Sequence, residues 1–161
     1  MIQLPPRTTQ ISAALCALLL TLLLSACDAF VTGESVVTFD LKPQADGGYA
    51  PVTVTLGPEM NPAALNLRAE LPGSGGTPGA WNEYVAVLTY NGAPVQTKAF
   101  TVNDTSTQVN VPGQPFIARN VMTIAVKETG DYVLTITATK KPVVELLKTQ
   151  LELRKNIVTP K

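Results

Sequence analysis

Gly130-Asp131-Tyr132-Val133-Leu134-Thr135-Ile136-Thr137-Ala138-Thr139 is the stretch whose alternation decides the fold. Tyr132, Leu134 and Ile136 fall on one face of an extended chain and Val133, Thr135 and Thr137 on the other. A period of two is strand chemistry, because successive side chains point to opposite sides of a pleated backbone. Upstream, Val121 to Val126 reads as a second strand, with Glu128-Thr129-Gly130-Asp131 as the turn between them.

The same period runs outward in both directions. Val37, Phe39 and Leu41 alternate with Thr38 and Asp40; Val52, Val54 and Leu56 alternate with Thr53 and Thr55. Leu65, Leu67, Ala69 and Leu71 alternate with Asn66, Arg68 and Glu70. Tyr84 to Tyr90 is apolar on both faces apart from Thr89, which predicts a central strand. Asn91-Gly92 supplies the positive-φ pair of a tight hairpin, and the chain returns through Val95 to Val102, then Thr107 to Val111. The segment from Val143 to Ile157 carries two patterns. Val144, Leu147 and Leu151 suit a helix, whereas Leu147, Thr149, Leu151 and Leu153 alternate with Lys148, Gln150, Glu152 and Arg154 and favour a long strand. If a strand, its position at the end of the chain makes it a natural sheet edge, with Lys148 and Arg154 guarding it. The Pro72–Ala80 stretch, rich in glycine and proline, reads as a loop insertion.

The chain starts differently. Ile11 to Leu24 is an apolar run of about 14 residues behind a short start carrying Arg7. That is shorter than the roughly 20 residues a membrane-crossing helix needs, and it has the grammar of a secretory signal peptide. A retained signal anchor is the rival reading. Leu24-Ser25-Ala26-Cys27 resembles the lipobox of bacterial lipoproteins. The resemblance implies cleavage before Cys27 and a lipidated Cys27, so that residues 1–26 leave, 27–33 form a short tether and 34–161 form the domain. Asp28, directly after the cysteine, resembles the signal for retention in the inner membrane, which is favoured over the outer membrane. Two or three acyl chains hold a protein on a bilayer essentially permanently. Cys16 leaves with the leader, so no thiol remains for a disulfide.

Turn signals at short intervals between these strands predict an all-β antiparallel sandwich of about seven to nine strands. Gly130 to Ile136 resembles the penultimate strand of immunoglobulin-like and fibronectin type III domains, in which a tyrosine near the strand start hydrogen-bonds across a corner. The paired core cysteines of true immunoglobulin domains are absent, and Trp81 is the candidate for the core tryptophan. A lipocalin-like barrel is the alternative architecture.

Chemistry is sparse. The chain has no histidine, which removes the commonest general base, the usual zinc ligand and every Ser-His or Cys-His arrangement. Met60 and Met122 are isolated. Glu34, Asp40, Glu70, Glu83, Glu128 and Glu145 are scattered and read as solvent-facing charges. Asp46-Gly47-Gly48 and Asn103-Asp104-Thr105-Ser106 are oxygen-rich turns without the carboxylate density of a calcium loop. Without residues 1–26, eleven basic residues face twelve acidic ones, a balance that suggests neither nucleic acid nor an acidic lipid surface. The Lys140-Lys141 and Arg154-Lys155 pairs read as solvated strand ends.

Tyr49, Trp81 and Tyr84 are the candidate contact residues, since clustered loop aromatics stack on sugars or anchor partners. The expectation is therefore a non-catalytic, lipid-anchored interaction domain of the bacterial envelope, facing the periplasm and serving a protein partner, with no cofactor, no metal and no nucleic acid. A periplasmic saccharide- or small-ligand-binding lipoprotein is the alternative. An enzyme built on two converging carboxylates ranks third.

Overall fold

The computed structural model describes residues 32–72, 79–103, 108–111 and 114–158. Among them are nine strands: β1 (Glu34–Asp40), β2 (Tyr49–Leu56), β3 (Ala63–Glu70), β4 (Trp81–Tyr90), β5 (Ala93–Asn103), β6 (Gln108–Val111), β7 (Gln114–Ile124), β8 (Gly130–Ala138) and β9 (Leu147–Lys155). They form two antiparallel sheets, β1-β9-β3-β7-β6 and β2-β8-β4-β5. Two separate sheets, not one closed meander, make this a sandwich and set the barrel aside. The core lies between the layers. Leu65 and Leu67 of β3, Leu151 and Leu153 of β9 and Met122 of β7 pack toward Val54, Leu56, Ala86, Leu88, Leu134 and Ile136.

Local chemistry accounts for the elements. Asn91 and Gly92 have φ of 50° and 78°, the two left-handed positions that close the β4–β5 hairpin. β4 lies between β8 and β5, the interior place its apolar sequence predicts. Residues 147–155 form a strand, and period two prevails there over the helical spacing because Leu151 and Leu153 bury completely on one face.

Three expectations need correction. First, Val121–Val126 and Tyr132–Thr139 do not make a hairpin, since β7 and β8 belong to different sheets. Residues 125–129 carry the chain across the sandwich. Tyr132 turns this corner: its hydroxyl donates to the Glu128 carbonyl at 2.8 Å, as the tyrosine of immunoglobulin-like corners does. Its ring stacks on Tyr90 at 4.6 Å, and Tyr90 in turn leaves no room for a Cβ at Gly130. Secondly, β9 is no edge, because β1 and β3 flank it. Thirdly, Trp81 is 45 % exposed and is not a core tryptophan.

The order of strands also differs from the immunoglobulin pattern, in its flanking strands and in β1, which extends one sheet to five. β3 to β8 are neighbours as the strands B to F of that pattern are, with β3 beside β7, β7 beside β6, and β4 beside both β8 and β5. The flanking strands exchange places. β2, which precedes this block in the chain, lies beside β8; β9, which follows it, lies beside β3. The β2–β3 and β8–β9 connections must therefore cross between the sheets, and an asparagine amide pins each one. Asn61, in the first connection, accepts from the Val126 N–H at 2.6 Å and donates to the Val126 carbonyl at 2.7 Å. Asn82, at the start of β4, does the same for the second connection. An amide sets N–H donors beside a carbonyl acceptor, so it pairs with backbone as a strand would.

Candidate functional site

Of the three aromatics singled out in the sequence, two point inward. β4 alternates with Asn82, Tyr84, Ala86 and Leu88 buried, so Trp81 and Glu83 face out. Tyr49 and Tyr84 are 5 % and 2 % exposed, with ring centroids 6.0 Å apart, and Tyr84 also stacks on Phe100 at 5.3 Å. Burial, with Tyr49 next in effect, pushes the Tyr84 phenol far above its ordinary range, so it stays protonated at any physiological pH. Both rings are core packing, and neither stands exposed beside Trp81. Together they line a shallow hollow of about 160 Å³ beside Asn82, Pro142 and Val144, and Tyr84 also reaches the wall of a second cleft beside Glu83.

Beside them, Asn82 holds the β8–β9 connection. Its Oδ1 accepts from the Val143 and Val144 N–H groups at 2.8 Å each. Its Nδ2 donates to the Val144 carbonyl at 2.8 Å and to the Tyr84 hydroxyl at 3.2 Å. All four hydrogen-bonding positions of the side chain point into the fold, so Asn82 serves structure.

Trp81 stands on the outer face of the β2-β8-β4-β5 sheet. Its indole Nε1 donates to Glu83 at 2.7 Å, and the Lys140 ammonium sits 4.7 Å from its ring centroid. Lys140 also donates to Glu83 at 3.0 Å, and the Thr139 hydroxyl donates to the second carboxylate oxygen at 3.3 Å. Lys140 is the exposed strand-end residue expected, and it also belongs to this surface latch. The Trp81 hydrogen bond and then Lys140 hold the Glu83 carboxyl below the ordinary glutamate range. A depressed folded-state value contributes stability above the unfolded value and loses it as pH falls through the folded one. A carbon-13 titration of the Glu83 carboxyl should place its midpoint below that of a free glutamate. Lys140→Ala should move that midpoint upward; no movement would mean that the latch is not formed in solution. A cleft of about 320 Å³ adjoins the latch, lined by Glu83, Thr101, Arg119 and Thr139 among others. Lys140 covers one face of the indole, so a stacking ligand is left the other face only.

The second group of interacting charges was not legible in the sequence. Glu152, with its side chain 4 % exposed, lies 3.0 Å from Arg154 and 3.4 Å from Arg68, whose guanidinium also covers the Phe116 ring at 4.6 Å. Alternation assigns Arg68, Glu152 and Arg154 to the outer face, but it does not reveal that Glu152 and Arg154 are buried there. Arg154 is thus no solvated strand end, and it also donates to the carbonyl of Gly33. A carboxylate between two guanidiniums is neutralised in place, and such a cluster locks β9 to β3 and to the entering chain.

The other candidates are soon placed. Glu34 pairs with Lys155 at 3.1 Å, and Asp40 accepts from Gln150 at 2.8 Å. Asp46 caps its own turn through the Gly48 N–H at 2.9 Å. Cys27 and Asp28 lie outside the described residues, as do most of the Pro72–Ala80 stretch and Asp104 to Ser106. Among the described residues, no group of three or more metal-ligating side chains converges and no helix is long and apolar enough to cross a membrane.

Fold and site together define an antiparallel β-sandwich with asparagine-pinned crossings and a Trp-Glu-Lys surface latch. No protein-family model, no curated protein and no solved structure matches the chain.

Proposed function

We propose that this protein is a lipid-anchored interaction domain of the bacterial envelope, acylated on Cys27 and held against the membrane while it engages a protein partner. One observation carries the reading: Arg154 grips the Gly33 carbonyl six residues after the lipobox cysteine. The fold thus takes hold of the chain within about 20 Å of the anchor, the extended reach of so short a tether. The close of the tether and the Asn61 connection share one end of the sandwich, where Asn156 and Ile157 bond to the Met60 and Pro62 carbonyls. Trp81, Glu83 and Lys140 lie at the opposite end of β4 from Tyr90, which stacks on Tyr132 beside that anchored end. Residues as far as possible from the bilayer along the strands are the ones best placed to meet a partner. Asp28 favours the inner membrane under this reading.

The test is a crosslinked pull-down of the full chain from its native membranes, with fatty-acid labelling and a Cys27→Ala control. Label on the parent but not on the variant, with one partner recovered at near-stoichiometric yield, is the expected result. An unlabelled parent would remove the anchor, and a labelled, folded parent that recovers nothing would remove the adaptor role.

A further inference from the structure

We propose that the cavity between the two sheets at the tethered end is a phospholipid site, with an acyl segment among its apolar side chains and a zwitterionic headgroup against Lys127 and Glu128. The proposal rests on the lipid-anchored reading and adds to it a second, non-covalent hold on the bilayer.

The cavity measures about 230 Å³ and lies between the β4–β5 hairpin and the connection from β7 to β8. Tyr90, Val95, Ile124, Val126 and Tyr132 give it an apolar wall. An engineered apolar cavity of roughly 150 Å³ already takes benzene, so this one has room for a short length of hydrocarbon. Most polar atoms around it are taken up by the fold. Tyr132 donates to the Glu128 carbonyl at 2.8 Å, and Tyr90 reaches the Thr129 carbonyl at 3.4 Å. Gln96 donates across the sheets to the Thr123 carbonyl at 3.1 Å. The tyrosines therefore offer ring surface, not hydroxyls, to an occupant. Val95 is 52 % exposed and carries the apolar wall outward to the rim.

Position and charge name the occupant. Val126, in the cavity wall, is held by Asn61, and the neighbouring Pro62 carbonyl accepts from the Ile157 N–H at 3.0 Å. Ile157 in turn lies against Gly33, where the domain begins. β7 stands three strand intervals from β1, about 15 Å. The tether over residues 28–33 extends to about 20 Å, so the bilayer that holds the Cys27 lipid is within reach of the cavity. A tethered domain meets its own membrane at high effective concentration, so even a weak site fills. Lys127 and Glu128 are both exposed, and neither side chain has an ion-pair or hydrogen-bond partner among the described residues. One ammonium beside one carboxylate complements a headgroup that carries both phosphate and amine, and gives no advantage to a purely anionic lipid.

The experiment is tryptophan quenching in the full lipidated chain, reconstituted into vesicles of phosphatidylethanolamine and phosphatidylcholine with brominated acyl chains. Trp81 is the one tryptophan of the sequence and sits at the far end of β4, so the parent reports on the opposite end of the sandwich. Val95→Trp in a Trp81→Phe background should lose most of its emission, whereas the parent should lose little. Ala125→Phe narrows the cavity from an exposed position on its wall and should restore that emission. Lys127→Glu, an exposed change that leaves the core untouched, should restore part of it. Near-ultraviolet circular dichroism checks that each variant is folded. A chain that floats with the vesicles but is unquenched at position 95 would overturn the site. Quenching that survives both Ala125→Phe and Lys127→Glu, or equal quenching of Trp81, would overturn it as well. A parent that does not float would instead remove the anchor, and the site with it.

Discussion

A chain ending at Pro142 is expected not to fold. Its missing segment looks peripheral, lying at the end of the sequence, but β9 occupies the interior of its sheet between β1 and β3. Leu151 and Leu153 are completely buried, and Val144 is nearly so. Burying such side chains contributes about 1.5–3 kcal/mol each. Three of them together approach the roughly 5–15 kcal/mol by which a whole domain is stable. Removing β9 also strips β1 of its one strand partner among the described residues, opens one edge of β3, and leaves Arg68 without the Glu152 carboxylate. The truncated chain should lose its near-ultraviolet circular dichroism and unfold without a cooperative transition. A native spectrum and a sharp melt would show that the sheet closes without β9. Any loss of partner binding on such a truncation reports unfolding, not a missing edge.

Asn82→Ala should be the most damaging single polar substitution among the described residues, costing about 3 kcal/mol. The estimate follows from what is left behind. The side chain is 1 % exposed and satisfies two N–H groups and a carbonyl of the β8–β9 connection. A buried backbone group deprived of its partner costs about 1–3 kcal/mol, and Val144, which carries two of the three, is itself buried. Asn82→Asp keeps the acceptor but replaces the donor with a charged oxygen facing the Val144 carbonyl, so it should rescue little. Thermal melts of the full chain are the measurement, with Thr139→Ala as the control. That exposed hydroxyl makes only 3.3 Å contacts to Glu83, and its loss should cost about 0.5 kcal/mol or less. An Asn82→Ala chain as stable as the control would mean that the connection is not held by this amide.

Asn82 also marks the limit of sequence reading. Alternation assigns it correctly to the inward face of β4, yet an inward asparagine has no legible partner. Its backbone partners lie 61 and 62 residues away. Tyr132 is the contrasting case, because its partner is four residues upstream and the motif around it is local. The same distinction separates Trp81 from Tyr49 and Tyr84. As loop-side aromatics the three look alike in sequence, but side-chain direction and the neighbouring β2 and β5 bury two and leave the third beside Lys140.

The amino-acid sequence by itself determined most of the strands, the Asn91-Gly92 hairpin and the all-β class, but not Gln114 to Asn120 of β7; the Tyr132 corner followed from a resemblance to immunoglobulin-like domains. Each depends on period, turn chemistry or contacts within a few residues, and such signals survive without knowledge of the fold. Only the tertiary structure decided which strands pair, that β2 and β9 exchange flanks, that β9 is an interior strand, and that Glu152 is buried between two arginines. The physical reason is that a strand satisfies only half of its hydrogen bonds in any one neighbour. Which neighbour it takes is settled by how all the strands bury their apolar faces together, and no single stretch of sequence contains that choice.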